Sequence, residues 1–131
     1  MLDKPQVNIF VICDRVIRDQ NGKPSLLGVF DTLTFPVFPA VFPFVLFTQI
    51  VAPKGEYQFS IHLSETESAP KKLFEEAIKV ADDPGRAYVE TNLSLLFDHP
   101  GLFEFRLYIN AEPKLTCPFR VYQVVQVAPH A

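Results

Sequence analysis

The alternation of apolar and polar residues is the feature that most constrains this chain. In YQFSIHL, residues 57–63, every second residue is apolar, and the pattern recurs in AYVETNLSLLF, residues 87–97, and in LFEFRLYIN, residues 102–110. A period of two places apolar side chains on one face of a β-strand and polar side chains on the other. Turn signals recur about every eight to twelve residues, as in all-β proteins. The sequence therefore predicts one all-β domain over residues 1–131.

The turn signals define about eight strands. Asn21-Gly22 predicts a tight type I′ hairpin between a first strand over 7–19 and a second over 25–34, because Asn-Gly supplies the positive φ angles of that turn. A third strand is predicted to begin at Phe44. Eight antiparallel strands in a domain of this length fit a two-sheet sandwich of the immunoglobulin-like type.

One segment fits two kinds of secondary structure. In KKLFEEAIKVADDPG, residues 71–85, the apolar residues follow a helical stripe as well as one face of a strand, and local propensity favours a helix. The segment is short and lies between predicted strands. We therefore predict a strand here, ended by Asp83-Pro84-Gly85, and allow at most one helix, confined to residues 70–82.

Charge and hydropathy exclude several classes of partner. The twelve Lys and Arg residues are balanced by fifteen Asp and Glu residues, and no basic run is present, so nucleic-acid binding is not expected. The apolar run from Val7 to Cys13 is too short for a membrane span or a signal peptide. Cys13 and Cys117 lie far apart in strand-like segments, which favours two buried reduced thiols. These observations predict a cytoplasmic protein that binds neither nucleic acid nor membrane.

The sequence carries no recognisable motif for catalysis or cofactor binding. The five glycines match no phosphate-binding loop, and no serine lies in a GxSxG motif. His62, His99 and His130 lack the spacing of metal ligands. The sequence therefore predicts no catalytic residue, no metal and no cofactor, and it favours a protein that is not an enzyme.

The stretch FPVFPAVFPF, residues 35–44, is the most unusual in the chain. Pro36, Pro39 and Pro43 cannot donate backbone hydrogen bonds, so they disfavour a central strand and predict an extended connector. From Pro36 to Pro43 such a connector covers roughly 22 Å at polyproline II spacing, enough to pass between two sheets. We therefore predict a link that crosses from one sheet to the other.

The phenylalanines of this stretch have three interpretations. Phe35, Phe38 and Phe42 plug the open end of the sandwich, or some of them stay exposed as a patch that binds a protein partner or a second copy of the chain. A third interpretation is a PxxP ligand at Pro36 and Pro39. We expect Phe44 to belong to the core, and at least one of the three rings before it to be substantially exposed.

Two segments carry a resemblance to a known family. The segment FVICDRVIRDQNGKPSLLGVFDTLTFPVFPAVFPFVLFTQI, residues 10–50, resembles the opening of a family of small bacterial single-domain β-sandwich proteins of unknown function. The segment PGLFEFRLYIN, residues 100–110, is similar to the penultimate strand of that family. The resemblance implies a bacterial source and an immunoglobulin-like sandwich. It implies no activity and no catalytic residues.

Two hypotheses about function follow. The first is a small cytoplasmic protein-interaction module that uses the surface of the Phe/Pro connector, with Phe35, Phe38 and Phe42 as partner-binding residues. The alternative is a small-ligand-binding protein or an enzyme whose site is assembled only in three dimensions. A cleft lined with converging polar groups would favour the alternative.

Overall fold

The structure is a computed structural model that describes residues 3–65 and 68–124, and every regular element in this part is a β-strand. The all-β prediction is confirmed. The described part has nine strands instead of about eight. They are β1 (Gln6–Arg18), β2 (Pro24–Val29), β3 (Thr32–Phe35), β4 (Ala40–Ala52), β5 (Gly55–Glu65), β6 (Lys71–Val80), β7 (Gly85–Phe97), β8 (Gly101–Ile109) and β9 (Glu112–Gln123).

The nine strands form two sheets. The four-stranded sheet has the order β2-β1-β4-β7, and the five-stranded sheet has the order β3-β9-β8-β5-β6. All neighbouring strands are antiparallel except β3 and β9, which are parallel. The prediction of an antiparallel arrangement therefore holds for all pairs but one. The ambiguous segment is β6, and it is a strand as predicted.

One apolar core receives side chains from both sheets. Leu46 and Ile50 of β4 and Phe59, Phe105 and Leu107 of the five-stranded sheet are fully buried members of the same cluster. These are alternate residues of their strands, so the period of two in the sequence is the cause of the buried face. Aromatic rings from the two sheets meet in this core, as between Phe44 and Phe105, whose centroids lie 6.0 Å apart.

The predicted second strand, 25–34, is wrong as a single element. It is divided into β2 and β3, which belong to different sheets. Gly28 has a φ of +68°, a conformation that glycine adopts without the steric cost of a Cβ. Two residues later the chain leaves the four-stranded sheet, and the Asp31 carbonyl accepts a hydrogen bond from the Arg120 backbone N–H of β9. Alternation along the strand does not reveal such a change of sheet.

The predicted type I′ turn at Asn21-Gly22 is also wrong. The loop between β1 and β2 has five residues, 19–23, and within it only Gly22 has positive φ, at +79°. A type I′ turn needs positive φ at both central residues. That condition is met between β8 and β9, where Asn110 and Ala111 have φ values of 51° and 64°.

The proline-rich link crosses between the sheets, as predicted. Residues 36–39 join β3 of the five-stranded sheet to β4 of the four-stranded sheet. The next strand begins at Ala40, earlier than the expected Phe44, so Pro43 lies inside β4. Pro43 is opposite Ser94 of β7, and the pairing of β4 with β1 extends only to Val45. The proline is therefore tolerated because β4 has a single paired neighbour at this level.

Candidate functional site

The three predicted partner-binding rings are half-buried and pack against the core. Phe35 contacts the rings of Phe38, Phe42 and Phe97, with centroid separations of 5.9 Å in each case. Phe42 also contacts Phe44. The link brings the three rings together as one aromatic cluster at an end of the sandwich. Phe44 is buried, as expected for a core residue.

The exposed apolar side chains next to this cluster are aliphatic. Val37, in the link, is 68% exposed, and Val41 and Leu96, which are cross-strand partners in β4 and β7, are 64% and 59% exposed. We call these three residues the aliphatic patch. Sequence patterns did not identify the patch, because Leu96 is distant from Val37 and Val41 in the chain and joins them only through the pairing of β4 with β7. The signal was present in the alternation, since Val37 and Val41 each precede a ring that points inward.

The patch continues into an open sheet edge on β7. Within the described residues β7 pairs only with β4, so its other side has no neighbouring strand. The Phe30 N–H donates to the Ile12 carbonyl, which therefore points away from β4. Because hydrogen-bonding direction alternates along antiparallel strands, this register directs the backbone groups of Asn92, Ser94 and Leu96 toward the open edge. Pro43 opposite Ser94 agrees with that assignment, because it has no N–H to donate.

The other three sheet edges carry features that discourage strand pairing. β2 has six residues and includes Pro24 and Gly28, whereas β3 has four residues and is followed by Pro36. β6 has five charged residues among ten. By contrast, residues 91–97 of β7 contain no charge and no proline. This segment is the one described edge without the usual protection against pairing with another strand.

The outer face of the four-stranded sheet is partly covered by its own β1–β2 hairpin. Arg18 forms an ion pair with Glu90 of β7. Glu90 lies opposite Phe47 of β4. If the pairing of β1 with β4 continued in the same register beyond Cys13, Arg18 would instead lie opposite Ala40. The two levels differ by seven residues, or about 23 Å along a flat strand, which is beyond the reach of the two side chains. The hairpin therefore curls back over the sheet.

Cys13 lies beneath this curled hairpin. It is fully buried although it is outside the core between the sheets, and it pairs with Val45, which is buried in the same way. Burial raises the pKa of the Cys13 thiol, and the neighbouring carboxylates of Asp14 and Glu90 raise it further. Cys117 is half-buried, and burial raises its pKa also. Both cysteines are free thiols held in the unreactive protonated form.

A polar depression lies on the outer face of the five-stranded sheet, and we call it the polar cleft. It has a volume of about 310 Å³ and lies where β6, β5 and β8 run side by side. Its principal lining residues are Gln58, Ser60, His62, Lys72, Glu75 and Tyr108. No sequence prediction assembled these residues, because they come from three strands. The only sequence signal was the polar face of residues 58–62.

The groups in the polar cleft are tied to one another. Lys72 and Glu75 form an ion pair, and Glu75 lies opposite Ser60 in the register of β5 and β6. The hydrogen bond from Lys72 lowers the pKa of Glu75, which stays a carboxylate. The rings of His62 and Tyr108 contact each other with a centroid separation of 4.7 Å. The Nε2 atom of His62 is buried and has no hydrogen-bond partner among the described residues.

The remaining histidines take separate places. His99, in the turn before β8, pairs with Glu65 at the end of β5, and the hydrogen bond that this carboxylate accepts raises the pKa of His99. His130 lies outside the described residues. Over residues 3–65 and 68–124, no three His, Cys, Asp or Glu side chains gather as a metal site would require. The same residues contain no helix with the length and apolarity to span a membrane.

Comparison with known proteins gives one family and a set of similar folds. Residues 8–122 match DUF6941, described as a family of unknown function. No curated protein matches the sequence.

Among solved structures, the chain is similar to the alkylpurine DNA glycosylase AlkC of Pseudomonas fluorescens bound to DNA containing an abasic site analog. The TM-score is 0.64 at 8% identity, over 92% of this chain and 31% of the glycosylase. It is also similar to a β-glucosidase from Listeria innocua in complex with glucose, with a TM-score of 0.56 at 12% identity, over 73% of this chain and 15% of the enzyme. The chain thus spans less than a third of either protein, and the likeness shows the fold alone.

Proposed function

Because the chain belongs to DUF6941, a family of unknown function, we propose from its geometry that it is a protein-interaction module that self-associates through the open edge of β7. The single observation that carries the proposal is the unprotected edge at residues 91–97, which adjoins the exposed side chains of Val41 and Leu96. An edge of this kind offers unpaired N–H and C=O groups to an added strand.

The finer fold assignment supports this site. We propose an immunoglobulin-like sandwich, because the order β9-β8-β5-β6 follows the G-F-C-C′ order of that fold and the pair β4–β7 corresponds to strands B and E. In the constant-type sheet, strand D borders strand E. No described strand takes that position beside β7. The open edge of β7 is therefore the edge at which strand D pairs in the constant-type fold.

A second copy of this chain is the occupant that fits best. Antiparallel pairing of two β7 strands about a two-fold axis at Leu95 places Leu93 opposite Phe97 and Ser94 opposite Leu96. No like charges face each other in this register, and Glu90 lies beyond the paired segment, where it already contacts Arg18. The two aliphatic patches then lie on the same face of a continuous eight-stranded sheet.

Phe35, Phe38 and Phe42 keep a role in this proposal. Their half-buried rings pack against the core and fix the position of the link. The side chains of Val37 and Val41 are thereby held in exposed positions. Aliphatic side chains on a rigid backbone lose little conformational entropy when they bind. We also propose a cytoplasmic location in a bacterial cell; two free cysteines support the location.

The oligomeric state tests the proposal. Sedimentation equilibrium should show a dimer for the wild type and a monomer for Ser94→Pro and for Leu96→Lys, because the first removes an N–H from the open edge and the second places a charge there. Val29→Lys is the matched control, because Val29 is 62% exposed but lies on β2, the opposite edge strand of the same sheet. A wild type that remains a monomer at high micromolar concentration would overturn self-association, as would a dimer that both edge variants leave intact.

A further inference from the structure

We propose that the polar cleft on the five-stranded sheet is a binding site for a small uncharged ligand with several hydroxyl groups, such as a sugar or a polyol. The cleft is on the sheet that does not contain β7, so this inference is independent of self-association through that strand. Its volume of about 310 Å³ lies at the lower end of the range for small-molecule sites, about 300–1,000 Å³.

The charges of the cleft favour an uncharged ligand. Lys72 and Glu75, which both line the cleft from β6, neutralise each other. A small anion bound beside Lys72 would also meet the Glu75 carboxylate, and a small cation would also meet the Lys72 ammonium group. Either would have to disrupt an existing ion pair. A neutral ligand can hydrogen-bond to both groups while the pair stays intact.

The hydrogen-bonding inventory favours hydroxyl groups. Glu75 only accepts and Lys72 only donates, whereas Gln58 and Ser60 do both. A hydroxyl group donates and accepts, so it can complement each of them. Glu75 lies opposite Ser60 in the register of β5 and β6, so a carboxylate and a hydroxyl line the cleft side by side and suit two neighbouring ligand hydroxyls.

His62 supplies an independent observation. A buried polar atom without a partner costs roughly 1–3 kcal/mol, and the Nε2 atom of His62 is such an atom. His62 lies opposite Lys72 in the register of β5 and β6, and the Lys72 side chain is about half exposed. His62 also lines the cleft, so a ligand hydroxyl bound there satisfies Nε2. Tyr108, in contact with the His62 ring, holds the imidazole in place.

Titration followed by NMR tests the site. Mannose, galactose, glucose, trehalose and myo-inositol are added separately to ¹⁵N-labelled protein, and sodium citrate and spermidine serve as charged probes. We expect at least one neutral probe to shift the amide signals of residues 58–62, 72–75 and 106–111, with saturation. No shift with any neutral probe, or shifts with the charged probes alone, would overturn the proposal.

Variants locate the binding. Tyr108→Ala and Glu75→Gln should each weaken the affinity for the active probe by at least about tenfold, equivalent to about 1.4 kcal/mol. Tyr122→Ala is the matched control: this tyrosine is exposed on β9 of the same sheet and does not line the cleft. Melting curves confirm that each variant is folded. Equal weakening by Tyr122→Ala, or unchanged affinity in both cleft variants, would contradict the assignment. Because Ser94→Pro should bind the probe normally, failure of this site and failure of self-association are distinguishable.

Discussion

Arg18, at the end of β1, forms an ion pair with Glu90 of β7 across the intervening strand β4. The contact holds the β1–β2 hairpin over the outer face of the four-stranded sheet. Cys13 and Phe47 are buried on that face, although neither belongs to the core between the two sheets. The hairpin is therefore a cover for a second, smaller apolar layer.

Loss of the ion pair should expose the Cys13 thiol. In a Cys117→Ser background, we expect Arg18→Ala to increase the rate at which Cys13 reacts with a thiol reagent, because the hairpin opens more often. Removing a positive charge does not lower the pKa of a thiol, so a faster reaction reports exposure. The pair is on the surface, so stability should change by less than about 1 kcal/mol. Lys72→Ala, which breaks an ion pair on the other sheet, is the control; an equal effect of both would contradict the covering role.

Two glycines allow the backbone of the hairpin to be tested. Gly28→Ala should lower the free energy of unfolding by about 1–2 kcal/mol, because φ is +68° and the added Cβ would also meet the Asp14 side chain. Gly22→Ala has a similar φ but open space around it, so it should show the backbone cost alone. Urea denaturation of both variants, and of the double variant Gly28→Ala with Asp14→Ala, separates the backbone cost from the cost of the contact with Asp14. A denaturation midpoint unchanged by Gly28→Ala would mean that the positive φ of Gly28 is wrongly assigned.

Neighbouring residues of the link should differ sharply in their effect on stability. Phe38→Ala removes a half-buried ring in contact with Phe35 and should cost about 2–3 kcal/mol, below the range for a fully buried phenylalanine. Val37→Ala should change stability by less than about 0.5 kcal/mol, because that side chain is exposed. Denaturation at low protein concentration measures both without a contribution from association. Similar costs for the two variants would show that the link does not divide into inward and outward residues.

The pair of His99 and Glu65 predicts a dependence of stability on pH. The pKa of His99 is raised in the folded protein from an ordinary value of 6.5 by the Glu65 carboxylate. The group therefore contributes its full stabilisation below pH 6.5 and loses it as the pH rises through the folded pKa. Melting temperatures should fall over this window for the wild type and fall less for His99→Asn. Glu65→Gln should behave like His99→Asn. If both variants keep the wild-type fall of melting temperature with pH, another group is responsible for the dependence.

The sequence predicted those parts of the fold that depend on local alternation. The buried faces of β5, β7 and β8 were predicted because each strand keeps one face toward the core over its whole length. The change of sheet after Val29 was missed, since it depends on Arg120 of β9, a partner distant in the chain. The turn at Asn21-Gly22 was overrated, because loop length is set by the strand ends at Arg18 and Pro24 as well as by the turn residues.

The candidate surfaces were predicted less well than the fold. The link was identified correctly as a crossing segment, but which of its side chains point outward depends on the register of β4 with β7. The polar cleft could not be predicted, because Gln58, Lys72 and Tyr108 are brought together only by the pairing of β5 with β6 and β8. An open edge is likewise a property of a strand's neighbours, and no local pattern in β7 encodes it.

The parallel pair of β3 and β9 has a consequence for how the chain reaches its fold. Thr32 pairs with Arg120, 88 positions later in the sequence, and the Phe35 carbonyl accepts a hydrogen bond from the Val124 backbone N–H. Closing a loop of this length costs conformational entropy before any contact compensates for it, and proteins rich in such distant pairings fold slowly. During synthesis, β3 leaves the ribosome long before β9, its strand partner among the described residues, exists. It must therefore wait, unpaired, until β9 has been translated.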